Sequence, residues 1–253
     1  MNFGAVPYCG TAPLAADLWS RWNFDPWLIA ALLTLAYLGY TQGHRDIRSR
    51  RALIAALLLM GIAFISPLCA LASALFSARV AHHLLLIAAA APLLAIVFTC
   101  RRADEQPDAA PVLSITTVTL AHAIVVWVWH SPAPYLLALS SDSAYWLMQL
   151  SLLLSAFLLW KRVLSPRTSP GAAVLSLLAT MMQMGLLGAL LVFAPRPVFT
   201  PHFGTTGSFG LTELQDQQLA GLLMWVPAML PYFAVALVLC ATLLRKHEAP
   251  AAR

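Results

Sequence analysis

Histidines, methionines and one carboxylate recur at the edges of long apolar runs, and their types define the chemistry to look for. His82 and His83 are adjacent, and His130 closes a run in Trp127-Val128-Trp129-His130-Ser131-Pro132. Met224 lies in the stretch Asp216-Gln217-Gln218-Leu219-Ala220-Gly221-Leu222-Leu223-Met224-Trp225-Val226-Pro227. Imidazole suits copper and zinc, and thioether sulfur selects Cu(I). His83, His130 and Met224 are therefore candidate metal ligands, with Asp216 placed to attract the ion. His82 and His122 are further candidates. His82 and His83 point about 100° apart on a helix, so one of them is expected to face a bundle interior. His122 sits about 12 Å deeper than His130 on the same helix and reads equally well as a hydrogen-bond donor between helices. The stretch around Asp216 has a plainer reading beside the metal one. Gln217 and Met224 share a helix face, and Ala220 and Gly221 are small enough to let a neighbouring helix come close.

The elements that would position these residues are membrane helices. The 253-residue chain is 60% hydrophobic, 10% charged, and has a mean hydropathy of +0.78. Soluble domains carry roughly 25% charged residues. The net charge of +5 is no sign of nucleic-acid binding, because no loop combines a basic patch with interleaved aromatics. Residues 1–26 lack the basic start, apolar core and small-residue cleavage site of a signal peptide, and read as an external lead-in ending in Trp22-Asn23-Phe24-Asp25-Pro26-Trp27. Seven apolar segments follow, at about 27–42, 52–72, 80–99, 112–130, 143–163, 171–194 and 217–244. Each approaches the roughly 20 residues a bilayer needs. Pro67, Pro92 and Pro227 fall inside them, as membrane helices tolerate. Without repeats of 20–50 residues, the chain reads as one all-α domain, a bundle of seven transmembrane helices with a tail at 245–253.

Basic residues orient the bundle. With the N-terminus outside and the C-terminus cytoplasmic, the inner side holds Arg45, Arg48, Arg50, Arg51, Arg101, Arg102, Lys161, Arg162, Arg167, Arg245, Lys246 and Arg253. The outer side holds Arg21, Arg79 and Arg196. This asymmetry is the positive-inside signal. It places His82, His83, His122, His130 and His202 on or towards the outer half, and His44 and His247 inside. Ionisable residues within membrane helices usually face the bundle interior.

Other residue groups carry weaker signals. Met181, Met182 and Met184 read as a Cu(I) relay or, more plainly, as adaptable packing beside Gly185 and Gly188. Cys9 and Cys69 fall on the outer side, where an oxidising compartment would permit pairing. Cys100 and Cys240 fall on the inner side. Asp104, Glu105 and Asp108 form a solvated turn with Arg101 and Arg102. Nucleophile elbow, phosphate-binding loop, dinucleotide fingerprint and HExxH are all missing, so an enzyme is not expected.

Phe24-Asp25-Pro26, His83-Leu84-Leu85-Leu86, Ala91-Pro92-Leu93-Leu94, Trp129-His130-Ser131-Pro132 and Asp216-Gln217-Gln218 through Gly221 to Met224-Trp225-Val226-Pro227 together carry a family resemblance. Across nearly its whole length the chain resembles the seven-helix integral-membrane cytochrome c oxidase assembly factors of the CtaG type found in bacteria. The resemblance implies a multi-pass protein of the bacterial inner membrane that assists copper insertion into a haem–copper oxidase. Copper would be its cargo, and its partners the lipid bilayer, the oxidase subunits and periplasmic copper chaperones. This chain also departs from the family pattern. Where the family has a His-Met-x-x-x-His run, it carries Arg79-Val80-Ala81-His82-His83, and a fifth-segment histidine pair of relatives stands here as Tyr145 and Gln149. A smaller or softer site than the family's fits those replacements. Two other classes share the same residues: a copper transporter with a midplane His/Met site, and a haem protein with histidines from the third and fourth segments.

Overall fold

The computed structural model describes residues 7–42, 46–99 and 113–248. Among them every regular element is helical. His44, Arg45, Cys100, Arg101, Arg102, Asp104, Glu105, Asp108 and Arg253 lie outside the described residues, as do the side chains of Lys246 and His247.

The apolar segments become helices with local stop and start signals. α1 spans Pro26–Gln42, with proline in its first turn. Asp46 caps α2 (Ile47–Phe64) through Ser49 N–H at 2.9 Å, and Ser114 caps α6 (Ile115–Trp129) through Thr117 N–H at 3.0 Å. In between lie α3 (Leu68–Ala74), α4 (Phe76–Leu84) and α5 (Ala91–Thr99). Then come α7 (Pro132–Ser140), α8 (Asp142–Val163), α9 (Pro170–Val192), α10 (Glu213–Trp225) and α11 (Met229–Glu248). Thr212 and Gln215 close a capping box at the start of α10, each supplying a side-chain oxygen to the other's backbone N–H.

Residues 76–98, 142–163, 170–192 and 213–245 are long and apolar enough to cross a membrane. Two bent pairs, α2 with α3 at 43° and α6 with α7 at 72°, raise the number to six if each is one span. α1, with 17 residues, is shorter, at the lower limit of bilayer-spanning length. Exposed Leu58, Leu120, Leu154, Leu190 and Leu237 give these helices an apolar outer surface suited to lipid.

The breaks differ from the sequence expectation in instructive ways. The second segment bends at Ser66-Pro67, where proline removes a backbone donor. The fourth ends at Trp129, and Pro132 then starts α7, a helix that the sequence reading left unassigned. Between α4 and α5 the chain makes a π-helical turn at Leu85–Ala90. Such a turn loosens the backbone ladder, and here Ile87 O accepts from Trp160 Nε1–H at 3.1 Å and Tyr232 O–H at 3.4 Å. The span 76–98 is the one most enclosed by its neighbours, with α10, α2 and α8 packed on its successive parts. That central helix carries the adjacent histidines.

The lead-in is tied down rather than loose. Cys9 and Cys69 form a disulfide. Tyr8 donates to Asp25 Oδ2 at 2.5 Å, and Asp25 Oδ1 accepts from Trp27 N–H at 2.8 Å. The Tyr8 hydroxyl holds the Asp25 carboxyl below the usual carboxylate range. Asp25 thus serves two structural contacts, starting α1 and anchoring the lead-in.

Candidate functional site

α4 has no cap of its own, since Leu75 precedes it and offers no side-chain acceptor. The acceptor comes from α10 instead. Asp216 is buried and takes Phe76 N–H on Oδ2 at 2.7 Å and Ser77 N–H on Oδ1 at 3.1 Å, with the Ser77 hydroxyl also donating to Oδ1. A carboxylate at a helix N-terminus also complements the helix dipole. Its two neighbours clip α10 to other backbone ends. Gln217 donates to Leu191 O at 3.2 Å and accepts from Val198 N–H at 2.7 Å, while Gln218 donates to Val192 O at 3.2 Å. The three polar residues of the stretch therefore satisfy the start of α4 and the end of α9.

That clip sets depth. α4 and α10 pack together, and both lead away from the Asp216–Phe76 contact near their N-terminal ends. Met224 is about 12 Å beyond Asp216 and His83 about 10 Å beyond Phe76 along their helices. Met224, buried in the core, thus shares a level with His83.

His83 and His130 are brought together as a pair. Their rings lie edge to face with centroids 5.5 Å apart, and both side chains are buried. His130 Nδ1 lies 2.7 Å from Val126 O. A carbonyl only accepts, so Nδ1 carries the proton and Nε2 keeps its lone pair. Both ring nitrogens of His83 are without a protein partner. His82 points elsewhere, edge-on to Phe64 at 4.8 Å between centroids, with both of its nitrogens also unpartnered.

The remaining candidates fall outside this pair. His122 contacts Ser155 Oγ at 3.0 Å, and lies about 12 Å along α6 from His130. The Met cluster divides, with Met181 and Met184 in the core and Met182 76% exposed on the outer surface. Among the described residues, no three of His, Cys, Asp and Glu gather into a group able to hold a metal ion. The fold assembles the His83–His130 pair, and Met224 is buried on the neighbouring α10.

Arg79 changes the electrostatics of this region. Counted from sequence as an outer flanking charge, it is fully buried one turn above His83. Its guanidinium carbon stands 5.3 Å from the Tyr145 ring centroid. Its charge also reaches the Tyr135 hydroxyl of α7 and both adjacent histidines. Sequence offered one signal for this burial: Arg79 shares a face with His83 by helical spacing.

His202, in the loop between α9 and α10, is buried and lies 2.6 Å from Tyr135 Oη through Nε2. Burial, with the Arg79 charge adding to it, pushes this imidazole down to about 3. The unfolded chain takes up a proton near pH 6.5 and the folded chain does not. Stability from this group is therefore complete above pH 6.5, and is lost as pH falls from there towards 3. Between pH 6 and 4, thermal unfolding in detergent should show wild type losing about 1.4 kcal/mol more per pH unit than His202→Gln. Parallel curves for the two proteins would contradict a neutral, buried His202.

The fold and site together define a multi-pass membrane protein with a polar, histidine-bearing interior at one end of its helices. The chain belongs to the cytochrome c oxidase caa3 assembly factor family (Caa3_CtaG), whose model matches residues 31–246. No curated protein and no solved structure matches it.

Proposed function

We propose that this chain assists copper insertion into a haem–copper oxidase, holding Cu(I) as cargo between His83 and His130 with Met224 as the soft third ligand. The observation that carries the reading is His130 Nδ1 at 2.7 Å from Val126 O. Metal-binding histidines almost always donate their other ring N–H to a carbonyl or carboxylate, which fixes tautomer and orientation. His83, with neither nitrogen engaged by protein, supplies the second imidazole. Asp216 acts by seating the first turn of α4, which sets the depth of His83. His82 and His122 stand apart from the pair, turned to Phe64 and held by Ser155, and would serve the ion only in transit, outside the equilibrium site. The role is one of holding and handing on, without catalysis.

The same reading places seven spans in a bacterial inner membrane, N-terminus outside. The basic-residue asymmetry supports it, and so does the Cys9–Cys69 disulfide, which suits an oxidising compartment. Oxidase subunits and periplasmic copper chaperones are then the partners at the outer face. Deleting the gene should lower the activity of the copper-containing terminal oxidase at limiting copper, and leave copper-free respiratory oxidases unchanged. Normal copper-oxidase activity in that strain would reject the assembly role.

A further inference from the structure

The fold buries a permanent positive charge without giving it a counter-charge. Arg79 is 0% exposed, and Nε, Nη1 and Nη2 make no hydrogen bond of ordinary geometry within the protein, although the Tyr135 and Tyr145 hydroxyls stand near the guanidinium. Guanidinium cannot shed its proton in a protein. No carboxylate of the described residues pairs with it; Asp216 serves the start of α4 instead. An isolated buried cation is expensive unless it is paired and hydrogen-bonded.

Its surroundings are also rich in unengaged polar atoms. Gln149, buried one turn along α8 from Tyr145, has neither amide atom hydrogen-bonded. His82 and His83 leave four ring nitrogens in the same condition. The Tyr145 hydroxyl lies 3.5 Å from Cys9 Sγ and also faces Arg79 and Gln149. Tyr8 stacks on Tyr145 with ring centroids 4.8 Å apart. The lead-in thus covers a cluster of buried polar groups that includes a planar guanidinium fork and an amide.

We propose that Arg79, with Gln149 beside it, binds a carboxylate anion. The two parallel N–H groups of a guanidinium match the two oxygens of a carboxylate, and the Gln149 amide N–H₂ adds a donor. This site lies next to the histidine pair and stands independently of the copper reading, since its ligand is an anion and no metal takes part.

The test uses the full-length protein in detergent, metal-free, at constant ionic strength. Thermal stability is followed while formate, octanoate or chloride replaces gluconate, whose carboxylate is carried on a bulky polyhydroxylated chain. Formate reports a water-borne carboxylate and octanoate one arriving from the lipid. A saturable rise in Tm with either, absent with chloride, is the expected result. Arg79→Gln should abolish that rise. Arg79→Lys keeps the charge but loses the planar fork, and should weaken the half-saturating concentration at least tenfold. Equal responses to chloride and both carboxylates, no response at all, or an unchanged carboxylate response in Arg79→Lys would each overturn the proposal. The lysine variant carries the test if Arg79→Gln fails to fold. Because copper is left out throughout, a failure here leaves the Cu(I) reading of His83 and His130 untouched, and the reverse also holds.

Discussion

Replacing His83 or His130 with alanine should weaken Cu(I) binding by about 100-fold or more, because even outer partners of a metal site are worth 10–100-fold. Folded yield should stay close to wild type in both. The expectation rests on a pair whose ring centroids are 5.5 Å apart, with the His130 tautomer fixed by Val126 O. Met224→Leu keeps the volume and removes the sulfur, so it should cut Cu(I) affinity by a smaller factor. His122→Ala provides the internal comparison. Its imidazole is held by Ser155 about 12 Å along α6, and its loss should leave equilibrium Cu(I) affinity within a few-fold of wild type. Competition against a colorimetric Cu(I) chelator measures all four. A purely structural role for the pair gives a different pattern. Losing an edge-to-face ring contact costs about 0.5–1.5 kcal/mol of stability, so Tm would fall while copper stoichiometry held. That second pattern in both alanine variants would remove His83 and His130 from any copper site.

Some of this architecture is legible in the sequence for a simple reason. Lipid imposes apolar length, and that constraint is local, so the described parts of the apolar segments are largely helical, with four spans or up to six if each bent pair is one. The small residues around Gly221 are likewise read locally, as a place for close approach. What escapes is whatever depends on a distant partner. Nothing near Asp216 shows that its carboxylate caps a helix 139 and 140 residues away in the chain. Arg79 looks like a flanking charge when residues 80–99 are taken as the span. It becomes an interior charge once α4 begins at Phe76, and that start depends on the same distant carboxylate. α7 was hidden by a similar ambiguity. Ser131-Pro132 ends one helix and, with proline in the first turn, begins another, and the two signals share the same residues. His83 and His130, expected near one level from the order of the segments, do lie together, whereas the separation of His82 depends on Phe64, which only the packing reveals.

Gly221→Val should be severely destabilising. A Cβ at Gly221 would meet Gly188 O at 2.6 Å, Val192 Cγ2 at 2.8 Å and Leu191 Cβ at 3.1 Å. The converse holds at Gly188, whose Cβ would lie 2.7 Å from Gly221 O. Two helices therefore touch backbone to backbone, and neither carbonyl can move aside without unlatching Gln217 and Gln218 from the end of α9. Overpacking of this kind typically costs about 1–3 kcal/mol. With backbone as the obstacle, the upper figure applies to Gly221→Ala, and valine should prevent recovery of folded protein. Two other glycines make the comparison specific. At Gly185 the added Cβ meets Met229 Cε at 2.6 Å, the far end of a flexible side chain that can swing away, so Gly185→Ala should cost less than about 1 kcal/mol. At Gly61 in α2 nothing lies within 4 Å, so alanine should stabilise by about 0.5–1 kcal/mol through helix propensity alone. The same chemical change is thus expected to be severe, mild and favourable at three positions, as read by thermal unfolding of the purified variants. If Gly221→Ala unfolds at the wild-type temperature, α9 and α10 do not meet through these two glycines, and the level shared by Met224 and His83 loses the clip that fixes it.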